Sequence, residues 1–164
     1  MNKVSRPSGK PRGLVTQETP EVNAAGRDNP LLPIKFSGKV IHGAGRGRTL
    51  GFPTANLDTI LPSDLPLGIF AGWVHSPLSK RGAGGDFIHR PAVIYWGQQP
   101  TFDGTVTICE VFLINENEDL YSAEIHGELT SFIRPDQRFK FPTDLTAQMH
   151  QDVAEARRHL SLDS

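Results

Sequence analysis

The segment from residue 38 to residue 56 carries the densest chemistry in the sequence, because several glycines are interleaved there with two arginines. Glycine permits positive φ angles and a close approach of the backbone to a ligand, which leaves N–H groups free to face an anion. The segment is not a Walker A motif, since no Gly-Lys-Ser/Thr ends it, nor a dinucleotide fingerprint, since strand-like residues follow it. A phosphate-binding loop and a hairpin loop without a ligand both stay open. The candidate phosphate-binding residues are Gly43, Gly45, Arg46, Gly47, Arg48 and Gly51.

Thr54 and Asn56 follow Pro53 on a stretch with the composition of a β-strand. Because side chains alternate along a strand, these two residues face the same side. A hydroxyl and an amide oxygen beside an anion-binding loop are suitable ligands for Mg²⁺ and for the phosphates that it bridges. Thr54 and Asn56 are therefore candidate metal and nucleotide ligands. The alternative is that both only bond backbone groups of a turn.

Glu110 lies in the middle of an apolar strand-like segment, residues 107–114. Alternation places it on the same face as Ile108 and Phe112, and a carboxylate on an apolar face needs a partner or a function to offset its desolvation. Close to a reacting hydroxyl, such a carboxylate serves as a general base. The alternative is that Glu110 faces solvent while the opposite face forms the core. Alternation alone leaves the two readings equal.

Short apolar segments separated by turn residues predict six β-strands from residue 34 onward. The predicted strands are residues 35–42, 52–57, 69–75, 91–96, 107–114 and 121–132. Residues 121–129 alternate most clearly, as expected of a strand with one buried face. The polar residues 115–119 suit a hairpin loop, and residues 79–86 suit an exposed hairpin tip.

One helix is predicted at the end of the chain, where apolar residues recur at steps of three and four. The stripe consists of Leu145, Met149, Val153, Ala156 and Leu160. Thr143, which follows Pro142, is the candidate N-cap, and three basic residues complement the dipole of the last turn. Six strands followed by one helix favour a small antiparallel barrel or sandwich with a helix packed against it.

The composition of the whole chain excludes several classes of protein. Its 164 residues include 17 Lys and Arg against 18 Asp and Glu, and this balance argues against binding nucleic acid by phosphate neutralisation. The single cysteine forms no internal disulfide, and no apolar run approaches the length that crosses a bilayer. Without a signal-peptide pattern, the sequence predicts a soluble, intracellular protein. Residues 1–33 lack apolar periodicity and predict a disordered or extended leader, followed by one domain over residues 34–164.

Taken together, the motifs resemble the riboflavin kinase family, specifically its ATP-dependent bacterial and eukaryotic kinase module. The resemblance rests most on Pro-Thr-Ala-Asn within residues 45–57, and it also covers residues 67–71, 97–102 and 119–121. It continues with Phe132-Ile-Arg134, Arg138-Phe139 and the terminal helix that carries Asp152. The adenylyltransferase module of many bacterial relatives does not fit into the first 33 residues, so FAD synthesis is not expected.

The resemblance implies a mainly β fold, a six-stranded antiparallel Greek-key barrel with a C-terminal α-helix packed against it. It implies transfer of the ATP γ-phosphoryl group to the 5'-hydroxyl of riboflavin, which gives FMN and ADP, with Mg²⁺ as cofactor. By position, Glu110 is the catalytic base, and Arg134 and Phe139 belong to a mobile loop over the flavin. We expect a cytoplasmic monomer whose partners are riboflavin, FMN, ATP and ADP, without nucleic acid or membrane. The alternative is a catalytically inactive flavin-binding or regulatory module on the same barrel.

Overall fold

Six antiparallel strands and two helices make up the fold, seen in a computed structural model that describes residues 31–43, 45–77, 87–116 and 120–163. The strands are β1 (Ile34–Ile41), β2 (Ala55–Asp58), β3 (Gly68–Pro77), β4 (Phe87–Thr101), β5 (Gly104–Leu113) and β6 (Glu124–Pro135). The helices are α1 (Arg46–Thr49), a single turn, and α2 (Pro142–His159). All six predicted strands and the predicted terminal helix are present.

The strands close into a barrel in the order β1, β2, β5, β4, β3, β6, with β6 returning to β1. The predicted six-stranded barrel with a C-terminal helix is therefore confirmed. The hairpin predicted at residues 115–119 is wrong, because β5 pairs with β2 and β4 whereas β6 pairs with β1 and β3. A short polar loop joins successive strands whether or not they are neighbours, so its composition did not distinguish a hairpin from a crossover.

Strand boundaries differ from the prediction mainly in β4 and β6. β4 continues past the predicted end at residue 96 to Thr101, because its last residues pair with β5 although they lack an apolar alternation. β6 begins at Glu124, since Ser122 has a positive φ of 62° in the turn before it. From residue 123 onward the predicted alternation of this strand holds, with Ile125 and Leu129 fully buried.

The barrel interior is filled by one apolar side chain from every second position of each strand. In β5 the inward residues are Cys109, Val111 and Leu113, so Glu110 and Phe112 point outward. Burial raises the pKa of the Cys109 thiol to about 12, which keeps this side chain protonated and unreactive in the folded protein.

Helix α2 packs on the outside of the barrel and covers part of its outer face. Ala156 and Leu160 lie against Ala71 and Ile114 in a second apolar cluster, and the predicted stripe faces the barrel as expected. The predicted N-cap at Thr143 is wrong, because the helix begins at Pro142 with Phe141 as N-cap and without a side-chain cap. Proline favours the first helical position, where its missing N–H costs no hydrogen bond.

Two predicted segments fall largely outside the described residues. The leader over residues 1–33 is described only from Leu31, and Leu32 is half-buried against the barrel core. The hairpin tip at residues 79–86 lies wholly outside them. In the described part of the chain, no helix is both long and apolar enough to cross a membrane.

Candidate active site

A single row of side chains crosses the outer face of five neighbouring strands. The register pairs Asn56 of β2 with Glu110 of β5, and Glu110 with Tyr95 of β4. The row continues to Ile69 of β3 and Arg134 of β6. Alternation places all five on the side of the barrel wall away from the core. The row therefore runs from a polar end at Asn56, through the carboxylate, to an arginine beneath α2.

Thr54 and Glu110 are joined directly at the polar end of the row. The Thr54 hydroxyl donates a hydrogen bond of 2.9 Å to Oε2 of Glu110. Thr54 thus bonds a carboxylate, not a backbone group of a turn, but it precedes β2, which begins at Ala55, and so lies outside the strand on which it was predicted. Glu110 does face away from the core, yet it is half-buried and lines a cavity instead of open solvent.

The glycine-rich segment lies on top of Thr54 and Asn56. A Cβ atom at Gly43 would collide with the Asn56 amide, and one at Gly47 would collide with the Phe52 carbonyl oxygen and approach Thr54 Oγ1 within 3.1 Å. The segment is not an irregular loop throughout, because Arg46–Thr49 forms the single turn α1 after Gly45, whose φ is +67°. Glycine is thus required here for close packing on the polar end of the row.

Replacing Gly43 by Ala is expected to displace the Asn56 amide, because the added methyl group would occupy its position. In the reaction that the sequence resemblance implies, we expect the KM for ATP to rise about tenfold or more while the KM for riboflavin changes little, since the change lies at the polar end of the row. Steady-state kinetics with each substrate varied separately measures the difference. Equal effects on both KM values, or none, would contradict the placement of Asn56.

Four of the five residues of the row, all except Asn56, line a cavity of about 600 Å³ between the barrel, the glycine-rich segment and α2. Of the predicted site residues, those that line it are Gly45, Arg46, Gly47, Thr54, Glu110, Arg134 and Phe139. Gly43, Arg48, Gly51 and Asn56 are not among its lining residues. The other half of the cavity is largely apolar, with Ile69, Val93, Phe112, Leu145, Met149 and Val153. One half therefore suits a phosphate chain, and the other suits a flat apolar group.

Arg134 connects the far end of the row to α2 through an ion pair with Asp152. Its Nε and Nη2 donate to the two carboxylate oxygens at 2.7 Å each, and Nη1 donates to the Pro135 carbonyl at 3.0 Å. Gln148 donates a further hydrogen bond of 3.1 Å to the same carboxylate. Arg134 lies in β6 and not in a loop, and its Cζ atom is 5.8 Å from the centre of the Phe139 ring. All three guanidinium nitrogens are thus committed to the protein.

Tyr95 and Asp136 belong to the cavity wall but were not predicted from the sequence. The Tyr95 hydroxyl donates a hydrogen bond of 3.1 Å to Oδ2 of Asp136. Burial, followed by the Asp136 charge, raises the Tyr95 pKa above its usual range, so the phenol stays neutral. One signal was available: residues 92–96 are apolar on both faces, which indicates a strand covered on its outer side as well.

The oxygen donors at the polar end fit Mg²⁺ that is shared with phosphates. Thr54 offers a hydroxyl, Asn56 an amide oxygen and Glu110 a carboxylate, and hard cations prefer such ligands. Across residues 31–163, leaving aside the short undescribed stretches, no three His, Cys, Asp or Glu side chains are placed to enclose a metal. Mg²⁺ commonly keeps water and takes phosphate oxygens to complete its octahedron. The donor set is thus suited to a metal that arrives with a nucleotide.

Residues 31–160 match the model of the flavokinase family, described as riboflavin kinase. The chain belongs to the riboflavin kinase family. The resemblance predicted from the Pro-Thr-Ala-Asn motif and its surroundings is therefore confirmed, and the match covers the barrel, the cavity and α2.

Several members of the riboflavin kinase family have sequences similar to this chain. A bifunctional riboflavin kinase/FMN phosphatase of Arabidopsis thaliana is 34% identical over 82% of this chain and 35% of its own length. A bifunctional riboflavin kinase/FMN adenylyltransferase of Escherichia coli K12 is 34% identical over 79% of this chain and 39% of its own length. Human riboflavin kinase is 29% identical over 80% of this chain and 83% of its own length. The chain thus spans well under half of the bifunctional relatives.

Solved structures also resemble this barrel. Riboflavin kinase from Trypanosoma brucei matches with a TM-score of 0.55 and 25% identity, over 79% of this chain and 80% of that one. A protein from Streptococcus pneumoniae named a macrolide-efflux protein matches with a TM-score of 0.62 and 29% identity, over 76% of this chain and 38% of that one. Both matches extend over most of the described barrel and helix.

Proposed function

We propose that the chain transfers the γ-phosphoryl group of ATP to the 5'-hydroxyl of riboflavin, giving FMN and ADP. The observation that carries this proposal is the Thr54–Glu110 hydrogen bond of 2.9 Å, at the junction of the phosphate half and the apolar half of the cavity. A hydroxyl group that enters from the apolar half reaches Glu110 first. A phosphate chain held by the glycine-rich segment reaches it from the other side.

Glu110 acts as the general base in this reaction. The 5'-oxygen of riboflavin forms a bond to the γ-phosphorus, the bond from that phosphorus to the β,γ-bridging oxygen breaks, and the hydroxyl proton passes to the Glu110 carboxylate. Transfer through a loose transition state needs positioning and charge neutralisation more than covalent catalysis. The hydrogen bond from Thr54 to Oε2 holds the Glu110 carboxylate in one orientation. A fixed carboxylate favours proton transfer from the 5'-hydroxyl of riboflavin to Glu110.

The glycine-rich segment and the Thr54–Asn56 pair would hold the phosphates and the metal. Gly45, Arg46 and Gly47 line the cavity, and their backbone N–H groups and the Arg46 side chain would contact the phosphates. Thr54 and Asn56 are the residues we assign to Mg²⁺, and the metal would supply charge neutralisation of the phosphate oxygens. Arg48 and Gly51 would act at the edge of this half, since neither lines the cavity itself.

The apolar half of the cavity would take the flavin ring system. Met149 and Phe112 offer soft and aromatic surfaces there, and Phe139 closes the side next to Arg134. Because the three nitrogens of Arg134 are bonded within the protein, its part is to support Phe139 and α2 around the flavin. Closure of this half also excludes water from the reacting phosphoryl group.

Product analysis tests the proposed reaction directly. Incubation with riboflavin, ATP and Mg²⁺ is expected to yield FMN and ADP in equal amounts, and removal of the metal by EDTA is expected to abolish both products. Chromatography with fluorescence detection separates FMN from riboflavin. If the folded protein binds riboflavin but forms no FMN with any nucleotide or divalent metal supplied, it is a flavin-binding module and the kinase proposal fails.

We also propose that the chain acts as a monomer in the cytoplasm. The residues assigned to the phosphates, the metal and the flavin all belong to the same barrel and its helix, so the proposed reaction needs no residue from a second copy. Its one cysteine, Cys109, is buried and takes part in no disulfide. Light scattering coupled to gel filtration is expected to give a mass near 18.0 kDa, and a mass near twice that value would overturn the monomer.

A further inference from the structure

The segment between β6 and α2 lines the cavity beside Tyr95 and Arg134. This lid segment, residues 136–141, contributes Asp136, Gln137, Arg138 and Phe139 to the cavity lining. Three described contacts connect its first four residues to the barrel. The Asp136 N–H donates to the Leu67 carbonyl at 3.3 Å, Tyr95 donates to the Asp136 carboxylate at 3.1 Å, and the Phe139 ring lies beside Arg134.

Two of these contacts come from side chains of the row on the outer face, since Tyr95 bonds Asp136 and Arg134 lies beside Phe139. The bond from Tyr95 is the one that reaches the start of the lid segment. Tyr95 stands between Glu110 and Ile69 in that row. Its ring lies along β4 over Gly97, where an added Cβ would collide with the ring carbons and the hydroxyl. Gly97 thus leaves the space that the ring needs to reach Asp136. The other carboxylate oxygen of Asp136 accepts from the Gln137 N–H at 2.8 Å, which fixes the orientation of the carboxylate.

We propose that Tyr95 is a positioning residue that latches the lid segment across the acceptor half of the cavity by its hydrogen bond to Asp136. This inference rests on the proposed function, because the acceptor half is the half assigned to riboflavin. The latch sets how long riboflavin and FMN stay bound. It leaves the Thr54–Glu110 pair unchanged, since Tyr95 makes no hydrogen bond to either.

The charge of Asp136 favours a latch at this position. The bond joins a neutral phenol to a carboxylate, a type of hydrogen bond that is stronger than one between neutral groups. The raised pKa of Tyr95 means that the phenol keeps its proton, and hence its donor, through the neutral and mildly alkaline range. A residue without a hydroxyl at position 95 would leave the Asp136 carboxylate with no donor from the barrel wall in the described contacts.

The test is the binding of riboflavin to the Tyr95→Phe variant without ATP. The ring and its packing remain, and only the bond to Asp136 is lost, so we expect the riboflavin Kd to rise about tenfold through faster dissociation. With ATP, kcat is expected to stay within about threefold of wild type or to rise where product release limits turnover. Fluorescence titration and stopped-flow release measure both quantities.

Matched variants separate a latch from other roles of Tyr95. Tyr121→Phe makes the same chemical change at the only other tyrosine, which stacks on His42 away from the lid segment, and should leave the riboflavin Kd unchanged. Gly97→Ala should raise the riboflavin Kd as Tyr95→Phe does, because the added methyl group would collide with the Tyr95 ring. In a protein that already carries Tyr95→Ala, the ring is absent, and Gly97→Ala should cause no further rise. Tyr95→Phe and Asp136→Ala remove the same hydrogen bond, so the double variant should have nearly the same riboflavin Kd as Asp136→Ala alone.

Two results would overturn the latch. One is an unchanged dissociation rate in Tyr95→Phe. The other concerns a flavin that carries a 5-hydroxypentyl chain in place of the ribityl chain. Loss of a latch should weaken the binding of this analogue and of riboflavin equally. If Tyr95→Phe weakens the binding of riboflavin alone, Tyr95 contacts the polyol hydroxyls directly and is not a latch. Since binding is measured without ATP, a chain that forms no FMN but shows the expected Kd changes would retain the latch and lose the kinase proposal.

Discussion

Replacing Glu110 by Gln is expected to lower kcat for FMN formation by about 100- to 10,000-fold, the usual contribution of a general base. Glutamine has the shape of glutamate and still accepts the hydrogen bond from Thr54, so the wall of the cavity stays intact. It does not accept a proton at neutral pH, and the 5'-hydroxyl of riboflavin therefore loses its base. Single-turnover FMN formation, which is independent of product release, measures the effect on the chemical step.

Riboflavin binding provides the internal control for that variant. The riboflavin Kd of Glu110→Gln is expected to stay within about threefold of wild type, since the apolar half of the cavity is unchanged. Glu124→Gln makes the same substitution at an exposed position of β6 and should leave kcat unaffected. A kcat for Glu110→Gln within tenfold of wild type would remove Glu110 as the base and limit it to orienting Thr54.

The period of a β-strand was enough to predict most of the barrel and part of the site. Asn56 lies on the outer face of β2, Thr54 reaches Glu110 from just before that strand, and Glu110 lies opposite the core residues of β5. What alternation left open was whether that outer face meets solvent. The answer depends on α2, which begins more than 30 residues after Glu110 and covers the barrel from outside. No local pattern around Glu110 contains that information.

The remaining errors and omissions also come from long-range contacts. Tyr95 and Asp136 meet across 41 residues of sequence, and the contact exists only because β3 lies between β4 and β6 in the closed barrel. The wrong hairpin at residues 115–119 has the same origin, since barrel closure decides which strands are neighbours. The alternation within a strand predicts which face of the sheet a residue lies on. Contacts between residues of different strands can be predicted only when the order in which the strands pair is also known.

Arg134→Met is expected to lower the free energy of unfolding by about 3 kcal/mol, at the low end of what removing one partner of a buried ion pair costs. The side chains of Arg134 and Asp152 are 17% and 4% exposed, and both oxygens of the carboxylate are bonded by the guanidinium. Methionine fills much of the same volume but leaves the buried carboxylate, among the described contacts, with Gln148 as its one side-chain donor. Urea unfolding at neutral pH, followed by tryptophan fluorescence, measures the loss.

The double variant Arg134→Met, Asp152→Leu decides whether this pair stabilises the fold or serves the site. Because replacement of both partners by apolar residues of similar size is commonly neutral or stabilising, the double variant should regain most of the lost stability. It should not regain riboflavin affinity, since the guanidinium beside Phe139 and its bidentate connection to α2 are both absent. Recovery of stability together with affinity would show that any apolar packing suffices there. Recovery of stability alone would mean that the ion pair is kept for the position of α2 and the lid segment, not for the stability of the barrel.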